Sequence, residues 1–118
     1  MSGTDLRREI QLLAALADEN RLRLIACLLV RQACVCELVQ ATGLAQPRIS
    51  RHLKTLRDVG LVRDERAAQW VEYSLPAFPE GTPEAAILTA VAALVENHPQ
   101  ILEDRERLAK ATREGCST

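Results

Sequence analysis

Apolar residues recur at intervals of three and four positions near the start of the chain, which predicts an amphipathic first helix. Its repeating apolar positions are Leu6, Ile10, Leu13 and Ala17. The polar run 18–20 interrupts this repeat. We predict that Asn20 is the N-cap of a second helix, which runs from Arg21 to about Gln32.

Two short helices with clear ends are predicted next. The first runs from about Val35 to Thr42 and stops at Gly43, because glycine readily takes the left-handed conformation that ends many helices. The second has Pro47 in its first turn, where a missing N–H costs nothing, and it ends at Gly60. Two helices joined by a short glycine-containing turn are typical of a helix-turn-helix.

The spacing of apolar residues then changes from helical to alternating. Segments 61–64 and 70–75 alternate in this way, which predicts a two-stranded hairpin beside the helix-turn-helix, in the position of a wing. Thr82 followed by Pro83 predicts the start of a fifth helix, which continues to about Asn97. The predicted order is therefore four helices, a hairpin and a helix.

The last part of the chain is highly charged. Oppositely charged residues one turn apart, such as Glu103 and Arg107, would support a helix there. We predict a mainly α-helical winged helix-turn-helix domain over residues 1–98. Residues 99–118 are predicted to form a charged tail, either helical or mobile.

Composition is consistent with one small domain. The chain has 118 residues, 47% of them hydrophobic, which is enough for a single modest core. No apolar run is long enough to cross a membrane and no signal peptide is recognisable, so we expect a cytoplasmic protein without a membrane partner. In that reducing compartment the four cysteines are expected to serve metal or redox chemistry rather than a disulfide framework.

The net charge of −1 excludes a polybasic coat but not a local basic surface. Residues 44–57 provide such a surface, because they contain four cationic residues and no Asp or Glu. The four are Arg48, Arg51, Lys54 and Arg57.

Cys34 and Cys36 lie just before this basic segment. Two neighbouring thiolates can chelate a soft ion, which prefers sulfur to oxygen or nitrogen. Side chains two positions apart on a regular helix diverge, so chelation by this pair predicts a frayed or distorted start of the third helix.

From Leu13 to about Asn97 the chain resembles the ArsR/SmtB family of winged-helix, metal-sensing repressors. The resemblance rests on four segments in the family's order and spacing: Ala17–Ile25, Gln46–Leu56, Gly60–Val62 and Trp70–Tyr73. Within the family, Cys34-Val35-Cys36-Glu37-Leu38 resembles the box of the arsenic-responsive branch, whose thiolates bind trivalent arsenic or antimony beside the recognition helix. The chain departs from the pattern at Val39, often a third cysteine, at Ala45, usually a serine, and at Ala68, often a glycine.

The resemblance implies As(III) or Sb(III) as the inducer, and no required cofactor. Cys34 and Cys36 are the predicted ligands. Trivalent arsenic favours three sulfurs, and the candidates for the third are Cys116 and Cys27; an oxygen or a small thiol would be an alternative.

The polar face of the recognition helix is the candidate surface for double-stranded operator DNA, because the family uses it so and because Arg and Gln can form paired hydrogen bonds with base edges. Basic residues of the wing are expected at phosphates. The predicted DNA-binding residues are Gln46, Arg48, Ser50, Arg51, His52, Lys54, Arg63 and Arg66.

Apolar stripes on the first helix and on the helix after the wing predict a homodimer, since a domain of this size cannot bury both and two-fold dimers match palindromic operators. The predicted interface residues are Leu6, Ile10, Leu13, Ile87, Val91, Leu94 and Val95.

The resulting hypothesis is a repressor, not an enzyme, that binds its operator when metal-free and dissociates when its thiolates capture the metalloid. One alternative is a redox-sensing winged-helix repressor that uses cysteine oxidation. A more distant alternative is a Cys-x-Cys thiol oxidoreductase, which would need a thioredoxin-like strand order that the pattern lacks.

Overall fold

The computed structural model describes residues 5–115. Within them, helices and strands follow the order α1–α2–β1–α3–α4–β2–β3–α5–α6. The helices are α1 (Arg7–Leu16), α2 (Glu19–Val30), α3 (Val35–Thr42), α4 (Gln46–Asp58), α5 (Pro83–Val95) and α6 (Pro99–Lys110). The strands are β1 (Ala33–Cys34), β2 (Arg63–Ala67) and β3 (Trp70–Ser74), and a short 3-10 helix, Arg113–Gly115, follows α6.

The predicted winged helix-turn-helix is confirmed, with α3 and α4 as the helix-turn-helix and β2–β3 as the wing. The sheet has a third strand, in the antiparallel order β1-β3-β2, which the sequence did not predict. In β1, Ala33 pairs with Tyr73 and Cys34 pairs with Glu72. The wing is therefore connected directly to the chain that enters α3.

The residues that cap the helices agree with the sequence prediction at some ends and differ from it at others. Gly43 ends α3 with φ of 75°, as predicted. The N-cap of α2 is Asp18, not Asn20, because the Asp18 carboxylate accepts a hydrogen bond of 3.0 Å from the N–H of Arg21. The N-cap of α4 is Ala45, which makes no side-chain capping bond.

An aliphatic core lies beneath the helix-turn-helix. The buried face of α4 consists of Ile49, Leu53 and Leu56 at the predicted helical spacing. These side chains pack in one cluster with residues of α2 such as Leu24 and Ile25. The core thus holds α4 with its polar face outward.

Residues 99–110 of the segment predicted as a helical or mobile tail form helix α6. This helix buries Ile101 and Leu108 and packs against α2 and α3. The surface pair Glu103–Arg107 forms as predicted, at 2.8 Å. Within residues 5–115 no single helix is long and apolar enough to cross a membrane; α5 and α6 meet those criteria only together, and they are bent by 102° at the break between them.

A buried ion pair fixes α6 against α2. Arg23 donates to both carboxylate oxygens of Asp104, at 2.8 and 2.9 Å, and Asp104 is fully buried. Arg23 also donates to the carbonyl of Thr42 at 2.8 Å, at the end of α3. Gln100 donates to the same carboxylate at 3.0 Å. One guanidinium therefore joins α2, α3 and α6.

Replacing Asp104 by Asn is expected to lower the free energy of unfolding by about 3 kcal/mol, because it leaves the Arg23 charge buried without its counterion. Urea unfolding at a fixed protein concentration measures the change. The matched control is Glu103→Gln on the exposed face of the same helix, which should change stability by less than about 1 kcal/mol. Equal effects of the two substitutions would contradict the assigned role of Asp104.

Candidate thiol pair and DNA-reading surface

The sulfurs of Cys34 and Cys36 lie 3.6 Å apart. Cys34 is the N-cap of α3 and has an extended backbone, with φ of −90° and ψ of 168°, whereas Cys36 lies in the first helical turn. Because Cys34 lies outside the helix, its side chain does not point away from that of Cys36 as it would if both residues were helical. The two sulfurs therefore come close because α3 begins at Val35, as predicted, and Cys34 precedes it in an extended conformation.

This separation suits one soft ion bound to both sulfurs. Metal–sulfur bonds of about 2.3 Å, as in zinc thiolates, place two sulfurs about 3.8 Å apart at a tetrahedral angle. Within residues 5–115, no group of three His, Cys, Asp or Glu side chains is arranged to hold a metal ion. The described residues thus bring together the sulfurs of two predicted ligands, of which Cys34 is a free thiol and Cys36 is disulfide-bonded in this structure.

Glu37 holds the Cys34 end of the pair. Its Oε1 accepts a hydrogen bond of 2.9 Å from the N–H of Cys34, and the Cys34 side chain faces the N–H of Glu37, which completes a capping box. Burial opposes ionisation of Glu37, but its bonds with Cys34 and its ion pair with Arg31 at 3.3 Å outweigh this and lower its pKa. Burial, with a contribution from the Glu37 carboxylate, raises the pKa of the Cys34 thiol.

Cys27 does not join the pair. It is fully buried in the core on α2, and it is a free thiol. Burial raises its pKa to about 12, with a further contribution from Asp104. A thiol that stays protonated in an apolar core is a poor ligand, so the structure disfavours Cys27 as the third sulfur and assigns it to packing.

The segment that follows α6 lies beside the thiol pair. Gln40, one turn after Cys36 on α3, donates to the carbonyl of Thr112 at 2.8 Å and accepts from its N–H at 3.3 Å. The 3-10 helix Arg113–Gly115 packs against α3. The other candidate ligand, Cys116, is the next residue of the chain and lies outside the described residues.

The outer face of α4 is polar and open. Gln46, Arg48, Ser50 and Arg51 are all exposed. In the described part of the chain, no ion pair is formed by Arg48 or Arg51. Their charges are therefore available to a polyanion.

His52 differs from its neighbours because it faces α2. Its Nδ1 lies 3.2 Å from Nη1 of Arg21, and its Nε2 lies 3.9 Å from the carboxylate of Asp18. Burial lowers its pKa, although Asp18 opposes the shift. Arg21 also donates to the carbonyl of Ala15 at 2.6 Å. These contacts indicate that the half-buried His52 helps to position α4 against α1 and α2, and its contact with DNA stays a prediction.

The remaining predicted DNA contacts lie along α4 and the wing. Lys54 is exposed and pairs with Asp58 at 2.9 Å. Arg63 and Arg66 are exposed on β2, and Arg63 lies 3.9 Å from Glu65. At the wing tip, Ala68 takes a φ of 59°, the conformation for which glycine is usual.

Arg57 was predicted only as part of the basic surface, and the structure gives it a second role. It donates to Asp64 of β2 at 2.8 Å, which ties the end of the recognition helix to the wing. The sequence gives no sign of this pair, since Arg57 and Asp64 are seven positions apart. Their side chains meet only because of the turn between α4 and β2.

The predicted interface residues divide into two groups. Leu6, Ile10 and Leu13 are each 61% exposed and Leu94 is 78% exposed. Ile87 is half-buried. Val91 and Val95, in contrast, are buried in the core of the chain itself, so these two are corrected from interchain to intrachain contacts.

The fold and site define a winged helix-turn-helix protein with a thiol pair beside its recognition helix. Residues 18–64 match the family described as "Bacterial regulatory protein, arsR family". Arsenic resistance transcriptional regulator ArsR2 of Pseudomonas putida is 44% identical over 82 residues, which cover 66% of this chain and 70% of that protein. The structure of HlyU from Vibrio cholerae N16961 has 33% identity and a TM-score of 0.67, and the match covers 78% of this chain and 96% of that one.

The chain therefore belongs to the arsR family. Arsenic resistance transcriptional regulator ArsR1 of Pseudomonas putida is 48% identical over 68 residues, 55% of this chain, and the match spans only 52% of that relative's length. The prediction that the chain is not an enzyme is confirmed, because the matching family and these two relatives are named as regulators.

In the fully reduced protein, iodoacetamide is expected to leave Cys27 unmodified at neutral pH. It should modify Cys34 at a rate that keeps rising with pH above the pH at which an ordinary thiol is already ionised. The reason is that only the thiolate reacts and both pKa values are raised. Peptide mass spectrometry locates the label. Denaturant should make Cys27 react like the other thiols, and rapid labelling of native Cys27 would contradict its assignment to the core.

Proposed function

We propose that this protein is a cytoplasmic transcriptional repressor that binds operator DNA when its thiols are empty and releases it on capturing trivalent arsenic or antimony. The observation that carries the proposal is the position of Cys34. This residue pairs with β3 of the wing and is also the N-cap of α3 in the helix-turn-helix. An ion that binds its sulfur acts on both elements that meet DNA.

The capture chemistry is an exchange of ligands without oxidation. Arsenous acid carries three hydroxyl groups. Each thiol proton leaves with one hydroxyl as water while a sulfur–arsenic bond forms. In the reduced protein Cys34 and Cys36 supply the first two sulfurs, whose 3.6 Å separation needs little adjustment. No required cofactor enters this exchange.

Cys116 is the proposed third sulfur. The support is the docking of the preceding segment, since Thr112 is held by Gln40 and the 3-10 helix packs on the helix that carries Cys36. Cys27 is the poorer candidate because it is buried and its pKa is raised to about 12. A relative named as a regulator of arsenic resistance supports the choice of inducer.

DNA binding is proposed through α4 in the major groove, N-terminus first. The exposed residues Gln46, Arg48, Ser50 and Arg51 face the bases and the nearest phosphates. Lys54 with Arg63 and Arg66 of the wing would hold the flanking backbone, where contacts supply affinity rather than sequence choice. Helix α4 carries no acidic residue in its first turn, so nothing there repels the polyanion.

A homodimer is proposed to form through α1 and α5. The large side chains Leu6, Ile10, Leu13 and Leu94 are mostly exposed in the single chain. Such side chains are expected to be covered by a second copy, because an apolar surface of this kind is typical of an interface. A two-fold dimer presents two recognition helices to the two halves of a palindromic operator.

Arsenite is expected to weaken binding to promoter DNA by roughly 5- to 150-fold, the usual range of coupling between two sites. Fluorescence anisotropy of labelled DNA at fixed salt measures it, with the reduced protein. Cys34→Ser and Cys36→Ser should keep DNA binding and lose the response, and Cys116→Ser should reduce it.

The matched control is Cys27→Ala, which removes a buried sulfur outside the proposed site and should leave the arsenite response intact. A wild-type protein that holds DNA regardless of arsenite would contradict the proposal. Release by peroxide without any metalloid would favour the redox-sensing repressor instead.

Replacing Arg51 by Ala is expected to weaken operator binding by about 1–3 kcal/mol, with or without arsenite, because the side chain is exposed on the reading face. The same anisotropy assay measures the loss. Arg107→Ala on α6 removes an equal charge from outside that face and should have little effect. An unchanged affinity in Arg51→Ala would show that α4 docks differently.

A further inference from the structure

Arg21 connects the last turn of α1 with the recognition helix. Its Nε donates to the carbonyl of Ala15 at 2.6 Å, and its Nη2 donates to the carbonyl of Ala14 at 3.4 Å. The last four carbonyls of a helix have no N–H partner within that helix. Helix α1 has no basic residue in its own last turn, so Arg21 supplies the positive charge that the negative end of a helix dipole favours. The guanidinium is therefore fixed on the end of α1.

The third nitrogen of the same guanidinium points to α4. Nη1 of Arg21 lies 3.2 Å from Nδ1 of His52, which is in the middle of α4. A guanidinium only donates hydrogen bonds, so Nδ1 accepts this one and the imidazole is neutral, with its proton on Nε2. Burial lowers the pKa of His52, which also favours the neutral form.

Asp18 adds the link between α1 and α2 to this arrangement. Its carboxylate accepts a hydrogen bond of 3.0 Å from the N–H of Arg21 and lies 3.9 Å from Nε2 of His52. The link between the first two helices is thus held by the same two side chains that join α1 to α4.

Helix α1 has one face toward α4 and another toward solvent. Its buried residues include Leu12 and Leu16, which share a cluster with the apolar face of α4. Its outer face carries the exposed Ile10 and Leu13 of the proposed dimer interface. In a two-fold dimer, α1 of each copy therefore lies between the interface and the recognition helix.

Apolar packing alone leaves the direction of α4 relative to α1 loosely specified. Burial of apolar surface has no preferred direction, whereas a hydrogen bond weakens steeply when its atoms are misaligned. The bonds of Arg21 to α1 and to α4 leave one rigid, planar group. We therefore expect these bonds to fix the angle between the two helices.

We propose that Arg21 is the positioning residue that sets the separation of the two recognition helices in the dimer, and with it the half-site spacing that the protein accepts. The inference rests on the proposed function, because it requires a dimer that reads two half-sites. One base pair added between half-sites moves them apart by about 3.4 Å and turns one relative to the other by roughly 35°. A dimer with a fixed angle between α1 and α4 cannot follow this change, whereas a dimer without the Arg21 bonds adapts to it in part.

The test measures the affinity of the reduced, metalloid-free protein for duplexes that contain its own promoter footprint. Their centre is unchanged, or one base pair longer or shorter, and fluorescence anisotropy reports binding. The wild-type protein should prefer the natural spacing by about tenfold, within the range that one altered base pair usually costs. Arg21→Gln should lower this preference to about twofold or less.

The preference is a ratio measured on one protein, so a smaller folded fraction cancels from it. An Arg21→Gln protein that binds more weakly at every spacing with an unchanged ratio would overturn the inference, because Arg21 would then only stabilise the fold. A wild-type protein that binds all spacings alike would also overturn it.

His52→Leu tests the same hydrogen bond from the side of α4, and it serves as the test if Arg21→Gln does not fold. It should lower the spacing preference to a similar degree, and the double variant should show no further loss. Arg21→Lys keeps the charge but not the planar fork, so it should recover only part of the preference. Full and additive losses in the double variant would contradict a shared role.

The histidine side chains provide a reading that does not involve DNA. The chain has two histidines, and Nδ1 of His98 accepts from the N–H of Gln100 at 3.2 Å, which makes it an internal reference. In nitrogen NMR spectra of labelled protein, Nδ1 of His52 should be unprotonated and should shift in Arg21→Gln, with His98 unchanged. A proton on Nδ1 of His52 in the wild-type protein would overturn the inference.

Arg105→Gln is the matched control. Arg105 also donates to a main-chain carbonyl, that of Ala26 at 3.1 Å, but it belongs to α6, so the variant should keep the wild-type spacing preference. If the wild-type protein is monomeric by sedimentation or does not bind its promoter, the proposed function fails. If it binds as a dimer with one preferred spacing and Arg21→Gln keeps that preference, only the spacing inference fails.

Discussion

The pairing of Cys34 with Glu72 is the constraint on which the rest of the arrangement depends. This short contact, between β1 and β3, fixes an extended backbone at Cys34 immediately before α3 begins. The same residue is thereby part of the sheet that forms the wing and the cap of the helix that supports α4.

Charged and polar side chains extend this junction into the rest of the chain. Glu37 and Arg31 connect it to the end of α6, and the buried pair of Arg23 with Asp104 connects α6 back to α2 and the end of α3. Partly or fully buried charges of this kind tolerate little change in geometry, because removing one partner leaves the other uncompensated. The helices that support α4 are therefore joined by several charged contacts as well as by the apolar core.

The features that could be predicted from the sequence are those with a local cause. The buried face of α4, the stop of α3 at Gly43 and the hairpin each follow from spacing or from one residue's conformational preference. Pairs distant in the chain could not be predicted in this way. A two-residue strand such as β1 has no periodicity, and Arg113 is separated by 41 positions from Glu72, with which it forms an ion pair.

The short distance between the two sulfurs also bears on the source of the free energy that would couple metalloid binding to DNA release. A ligand shifts an equilibrium only by the difference in its affinity for the two states. Because the two sulfurs lie 3.6 Å apart, binding of an ion to these two sulfurs alone demands little movement and favours neither state strongly. The free energy that separates the two states must therefore come from contacts beyond this pair, and the hydrogen bonds of Glu37 and Arg31 beside Cys34 are the contacts that an altered Cys34 would disturb first.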